Sequence, residues 1–479
     1  MNQSTDNGKA LSLEDCLRHA DETKELLIQK DALEEIPALL SKYFEFEAVC
    51  LIADDNTLKA AGSKLKKILD GGKIKCSGSY IFPGEPRLHA EYNHVVALKD
   101  WISSMPDYPR LVPIAIGAGT VNDLLKRTSF ELKIPYLCVP TAASVDGYTP
   151  NGAALLVDGL KQTLPCTAPL VVAADTDVIA QAPAYLSSSG FGDLASKIIT
   201  GTDWIIAEKA GSLGASEAPA IDPIPWAMVQ NGLMDALNRS VNAAKGDKDA
   251  INALFQALAI TGFAMQYMKS SRPVSGSEHL WSHVWEMEDL SVNGVSVTHG
   301  HKVTIGTLAA TAFTEIFFAD PKGPPQGGIP KSRRQNIQGL FRKAGPSDKR
   351  PSRDERRAEV SEAFKDSKAH DKVVATALEK MMEEQTVQKI NQAFRDSWKE
   401  IRGRVLEKLV PYGELKALLE KAGCPLRPEE IGLSRTEAIA TARRAQMIRN
   451  KYGILDLAWD MGNFEKILDL MESSDLYLK

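Results

Sequence analysis

The chain of 479 residues has no apolar run long enough to span a bilayer, no CxxC pair among its six cysteines and no large surplus of either charge. The first absence excludes a membrane-crossing helix, which needs about 20 consecutive apolar residues. The second removes both a zinc-finger spacing and a disulfide framework, so Cys16, Cys50, Cys76, Cys138, Cys166 and Cys424 read as scattered reduced thiols. With 57 Lys and Arg against 62 Asp and Glu, the formal charge is −5, and neither nucleic acid nor an acidic membrane surface is expected as a partner. The polar opening MNQSTDNGKALSLEDCLRHADETK has no signal-peptide core, and a cytoplasmic protein is expected. What is present is 44% hydrophobic side chains over a length that should divide into two or more domains.

Histidine is also scarce, with eight in the chain, yet His279, His283, His299 and His301 crowd into SGSEHLWSHVWEM and the nearby VTHGHKVTIGTL. Imidazole binds transition metals and moves protons near neutral pH, so the clustering marks a candidate site. Spacing alone leaves a second reading open, because histidines four apart on a helix are also simply neighbours on one face.

Through residue 185, short β-branched runs alternate with amphipathic stretches. AVCLIAD (48–54), LVPIAIGAG (111–119), PYLCVPT (135–141) and LVVAAD (170–175) read as buried parallel strands, with NTLKAAGSKLKKIL and TVNDLLKRTSFEL as helices crossing between them. Beyond that point the strand signal disappears, and long helical patterns such as DKDAINALFQALAITGFAMQYM and the run from AEVSEAF to RDSW take over. The expected architecture is an N-terminal Rossmann-like α/β domain with a parallel sheet, residues 1–185, followed by an all-helical domain, residues 186–479.

Two strand ends carry possible chemistry. In IAIGAGTVNDLLK, Gly117 and Gly119 stand between strand and helix, where backbone N–H groups can approach a pyrophosphate; a tight connection with no ligand explains them equally. In LIADDNT, Asp54 and Asp55 end the strand, and a carboxylate there could accept hydrogen bonds from an adenosine ribose, unless Asp55 or Asn56 merely caps the next helix.

Taken in order, GAGTVNDLLK, VPTAASVDGYT, AADTDVIAQAP, GFGDLASK, SRPVSGSEHLWSHVWEM and THGHKVTIGTL resemble the sn-glycerol-1-phosphate dehydrogenase family. Its superfamily also holds glycerol dehydrogenase, iron-containing alcohol dehydrogenases and 3-dehydroquinate synthase. The resemblance implies a divalent metal held by Asp193, His279 and His299, with zinc expected first and nickel or iron(II) as alternatives. It places NAD(P)H across the first domain, with Gly117, Gly119, Thr120 and Asp123 near the phosphates, Thr141 and Ser144 along the cleft and Asp54 by the ribose. Asp146 faces both cofactor and substrate. The implied reaction interconverts dihydroxyacetone phosphate and sn-glycerol 1-phosphate, a Lewis acid meeting the charge that develops on the ketone oxygen. His283 is the candidate proton relay, Asp146 a second catalytic candidate, and Lys161 and Arg272 are candidates for the phosphate; His301 has no assigned role. A homo-oligomer, dimeric or larger, is expected.

One departure stands out. The segment 322–357, rich in Pro, Gly, Ser and Arg, reads as a surface insertion of undefined role near the end of the catalytic region. Three function classes remain open: the metal- and NAD(P)-dependent oxidoreductase or a related polyol dehydrogenase, a lyase of the 3-dehydroquinate synthase type, and a binding protein that has kept the scaffold.

Overall fold

The computed structural model describes residues 8–324 and 350–479. Most of the insertion expected at 322–357 therefore lies outside the described residues. Its last residues already belong to the helix Arg353–Ala363, which Ser352 and Glu355 start with a reciprocal capping box.

The N-terminal part is built on eight strands: β1 (Glu25–Gln29), β2 (Ala48–Asp54), β3 (Cys76–Phe82), β4 (Leu111–Gly117), β5 (Leu137–Pro140), β6 (Gly152–Val157), β7 (Leu160–Pro165) and β8 (Val171–Asp175). Six form one sheet in the order β1-β8-β5-β4-β2-β3, every neighbouring pair parallel. Successive side chains of a strand point to opposite faces, and this chain fills both faces with apolar groups. Val49, Leu51 and Ala53 of β2 join Ile114, Ile116, Leu137 and Val139 in one core; Cys50 and Ile52 join Ala115, Cys138 and Val172 in the other, which runs on into the helical part. The four apolar runs read from the sequence are thus β2, β4, β5 and β8.

The remaining two strands make an antiparallel hairpin, β6–β7, turned at Asp158 (φ 52°) and Gly159 (φ 78°). Positive φ at both central positions is the geometry of a type I′ turn, whose twist matches that of the flanking strands.

Among the described residues from 184 onward the chain is helical, with one departure from the all-helical expectation. Ser291–Val292 and Val295–Ser296 pair in a short ribbon turned at Asn293 and Gly294, again with positive φ at both. The long pattern from AEVSEAF to RDSW resolves into the helices Arg353–Ala363, His370–Glu379 and Glu384–Asp396. Among the described residues no helix is long and apolar enough to cross a membrane.

The two parts are joined by the loop 141–151 at the carboxyl ends of β4 and β5. The Thr141 N–H donates to the Gly117 carbonyl (3.2 Å), Asn122 Nδ2 to the Gly147 carbonyl (2.8 Å), and the Thr149 hydroxyl to the Ala259 carbonyl of the long helix Lys248–Met268 (2.8 Å). Groups of the α/β part and of the helical part are thereby held in one frame.

Candidate metal and active site

Three helices bring the site together: Ala184–Ala195, Ser277–Met287 and His299–Phe317. They cross at glycines adjacent to the candidate ligands. A Cβ on Gly192 would stand 2.0 Å from Thr304 Oγ1, one on Gly300 1.8 Å from the Ser189 carbonyl, and one on Gly306 2.3 Å from the Glu278 carbonyl. Only bare backbone permits so close an approach, and it draws Asp193, His299 and His279 toward one point. Each offers one ligand atom, and these atoms lie within 4.8 Å of one another; the histidine rings are 5.4 Å apart, centre to centre.

Every member of the trio is oriented by a second group. His279 Nδ1 lies 2.7 Å from Glu278 Oε1, and His299 Nδ1 lies 2.6 Å from Glu286 Oε1. Carboxylate acceptors at these distances call for a proton on each Nδ1, which leaves the Nε2 lone pairs free for an ion. Glu278 Oε1 is fixed in turn by the Gly276 N–H (2.7 Å) and the Thr200 hydroxyl (3.0 Å). Asp193 is fully buried; its Oδ1 meets the Lys197 ammonium at 2.8 Å, and its Oδ2 accepts the Asp146 N–H at 2.9 Å. Lys197 also pairs with Asp146 Oδ2 at 2.8 Å, so one buried ammonium ties together two carboxylates of the site. The donor set, two imidazoles and a carboxylate with oriented partners, suits a divalent ion that keeps open positions for substrate.

Charge follows from this arrangement. Burial would raise the Asp193 carboxyl, but Lys197, together with His299 and His279 when these are protonated, outweighs it and holds it at about 2. Glu286 is likewise kept far below the usual carboxylate range, since Lys161, His299 and Lys302 overcome the effect of burial. Asp146 goes the other way, pushed up by burial and by Asp193 against the pull of Lys197. Asp203, pushed up to about 6 by burial and by Glu278, accepts the Ser277 and Ile454 N–H groups behind the site.

The other expected residues fall as follows. His283 lies on the same helix as His279, ring centres 6.0 Å apart; its Nδ1 is buried without a hydrogen-bond partner, and burial together with Arg449 holds it well below the ordinary imidazole value. Its charged form is therefore disfavoured. His301 Nε2 is 2.8 Å from the Ser188 hydroxyl, a packing contact. Lys161 on β7 stands 3.7 Å from Glu286 and so at the site. Arg272 does not: its guanidinium is buried and donates to the main-chain carbonyls of Tyr452 (2.8 Å) and Glu217, which correct its expected role from phosphate contact to anchoring of the C-terminal segment.

In the α/β part, Gly117 and Gly119 flank the start of the helix Gly119–Leu132. A Cβ at Gly117 would meet Val121 Cβ at 2.7 Å, and one at Gly119 would meet Val145 Cγ2 at 2.6 Å, so both glycines are required by packing alone. Thr120 follows in the first turn, partly exposed, and Thr141 is buried. Ser144 is also buried, its hydroxyl 3.4 Å from the Tyr148 hydroxyl. Asp123 sits one turn further on and is engaged by Lys126 (2.9 Å) and the Ala154 N–H (3.2 Å), which ties the helix to β6. Asp54 at the end of β2 is itself the helix cap, not Asp55 or Asn56: its Oδ1 accepts from the Asn56 and Thr57 N–H groups (2.9 and 2.8 Å), while Asp55 Oδ2 accepts from the Gly84 N–H.

Glu278, Glu286 and Lys197 were absent from the sequence-derived site. A signal for the last existed, since Asp193 and Lys197 at i, i+4 share one helix face.

The chain is similar to known proteins in both sequence and fold. The family model for iron-containing alcohol dehydrogenase matches residues 27–183. A glycerol-1-phosphate dehydrogenase (NAD(P)+) of Geobacillus thermodenitrificans is 34% identical over 313 residues, covering 64% of this chain and 74% of that protein. One from Pyrococcus horikoshii is 29% identical, covering 60% and 77%. Among solved structures, a probable glycerol dehydrogenase from Sinorhizobium meliloti superposes with a TM-score of 0.58 at 12% identity over 94% of this chain and 98% of that one, and the glycerol dehydrogenase of Schizosaccharomyces pombe with 0.54 at 16% over 95% and 94%. The structural neighbours share the fold, a parallel α/β part followed by a helical part, and at the level of sequence the chain belongs to the glycerol-1-phosphate dehydrogenase family.

Proposed function

We propose that the chain interconverts dihydroxyacetone phosphate and sn-glycerol 1-phosphate, using NAD(P)H and one divalent metal ion. The observation that carries this reading is the convergence of Asp193, His279 and His299 beside the Asp146 loop, between the strand ends that would receive the dinucleotide and the helices. A divalent ion in that position would supply a Lewis acid for the charge developing on the ketone oxygen, and the dinucleotide the hydride. Zinc is the first expectation for the ion, since the donor set of two nitrogens and one oxygen is common for it.

The chain's own groups do the rest. Glu278 and Glu286 fix the two imidazoles, and Lys197 holds Asp193 and Asp146 in place. His283, buried and without a partner at Nδ1, is the proposed relay for the proton the alkoxide must gain. The main-chain N–H groups at the start of the helix Gly119–Leu132 would receive the pyrophosphate. A homo-oligomer of this cytoplasmic enzyme completes the proposal. The relatives named as dehydrogenases favour this reading over a lyase. The test is coenzyme oxidation with dihydroxyacetone phosphate set against dihydroxyacetone: a strong preference for the ester supports the proposal, and no turnover of either sinks it.

Coenzyme preference has its own test. If the free oxygen of Asp54 faces the ribose, its charge repels a 2′-phosphate and NADH is preferred over NADPH. Asp54→Ser keeps a residue able to cap the helix, so stability should change by only a few tenths of a kcal/mol. The ratio of kcat/KM for the two coenzymes should move toward NADPH; an unchanged ratio removes Asp54 from the ribose.

A further inference from the structure

Four elements converge beside His299 with their charges out of balance. Lys161 from β7 approaches Glu286 Oε2 at 3.7 Å, and Lys302 from the helix His299–Phe317 approaches Glu286 Oε1 at 3.9 Å. Arg449, just beyond the helix Arg435–Met447, donates through one terminal nitrogen to the Lys161 carbonyl at 3.3 Å. The charge of Glu286 acts on all three cations while its Oε1 is already occupied by His299 Nδ1, and the further carboxylate acting on Lys302, Asp289, is matched by Arg87. Lys302 is 5% exposed, and its ammonium makes no hydrogen bond among the described residues. Burial disfavours its charge, and Lys161 and Arg87 disfavour it further against the pull of Glu286. Arg87 is itself tied to the Ser296 carbonyl (3.2 Å), and Lys451, which also feels the charge of Arg449, to Ser271. Gathering like charges in a poorly solvated place costs free energy unless an anion joins them.

We propose that Lys302 and Arg449, with Lys161, form the pocket for the phosphate dianion of the substrate. This rests on the proposed function and assigns the phosphate to residues other than Arg272. The surplus of two positive charges matches a phosphate monoester, which carries about −1.5 to −2 at neutral pH. Arg449 can present two parallel N–H groups to it, while the lysines act as point charges. The pocket lies against His299 through Glu286, so a phosphate held there places a short carbon chain within reach of the ion site. Anchoring at the far end of the substrate is how binding energy is turned into orientation at the reacting carbon.

The experiment is Lys302→Met and Arg449→Met, with metal content, the kcat/KM ratio for dihydroxyacetone phosphate over dihydroxyacetone, and inorganic phosphate as probe. Losing one charged hydrogen bond should lower that ratio about 10- to 100-fold with metal content retained, and Lys302→Arg should recover part of it. Inorganic phosphate should compete with the ester and not with the coenzyme. An unchanged ratio, or competition against the coenzyme, would overturn the pocket. If the wild type turns over neither compound, the functional reading fails, and calorimetric titration of phosphate still decides: binding lost in both variants supports the pocket, equal binding refutes it.

Discussion

Asp193→Asn, His279→Ala and His299→Ala should each strip or weaken the bound metal and lower kcat/KM by about a thousandfold. Every one removes a third of the protein's donors, and charge stabilisation at the reacting oxygen is worth several kcal/mol, with 1.36 kcal/mol for each factor of ten. Combining two of these substitutions should cost little more than one, since the ion is lost only once. His283→Ala should separate from the group: with its Nδ1 free and its ring 6.0 Å from His279, it should keep the metal and lose kcat. Metal analysis of the purified variants beside steady-state rates resolves these outcomes. A His283→Ala protein with normal kcat but a lower thermal midpoint would reduce the residue to packing.

Lys197→Met should be strongly destabilising. The ammonium is fully buried between Asp146 and Asp193, each 2.8 Å away, and its charge is favoured by both against the effect of burial. Removing it leaves two buried carboxylates facing each other without the ammonium that pairs with both, and breaking a buried pair in this way costs about 3–5 kcal/mol. Thermal unfolding of the variant should begin several degrees lower, and the metal affinity should change with it because Asp193 loses its fixed position. An unchanged midpoint would show that water or neighbouring groups compensate, and that the ammonium is not what holds the two parts of the site together.

The elements that sequence reasoning found and missed divide along physical lines. β2, β4, β5 and β8 are interior strands with apolar side chains on both faces, and each was visible as an uninterrupted run. β1 (ELLIQ) and β3 (CSGSYIF) lie at the two edges of the sheet, are only partly covered and carry polar positions, so no run marks them. The hairpin β6–β7 and the ribbon at 291–296 did have signals, the Asp-Gly of VDGL and the Asn-Gly of VNGV, each with positive φ at both turn residues. Hydrophobic periodicity alone does not reveal them.

The candidate site divides in the same manner. Asp193, His279 and His299 were placed through the resemblance of ordered motifs, and the structure brings their ligand atoms together. The supporting charges were not legible, because Glu286, Lys302 and Arg449 come from separate elements and only tertiary packing makes them neighbours. Arg272 was misread for the complementary reason: nothing in SRPVSG signals that its guanidinium will be taken up by the carbonyls of Glu217 and Tyr452, the latter 180 residues away.

The central claim is that this site reduces a phosphorylated ketone with the help of a divalent ion. Its most direct test is dihydroxyacetone phosphate-dependent oxidation of NADH by the purified protein, measured before chelation, after chelation and dialysis, and after adding back zinc. The account predicts turnover at the start, its loss when the ion is removed, and its recovery on addition. Full turnover by a protein that retains no metal would contradict it.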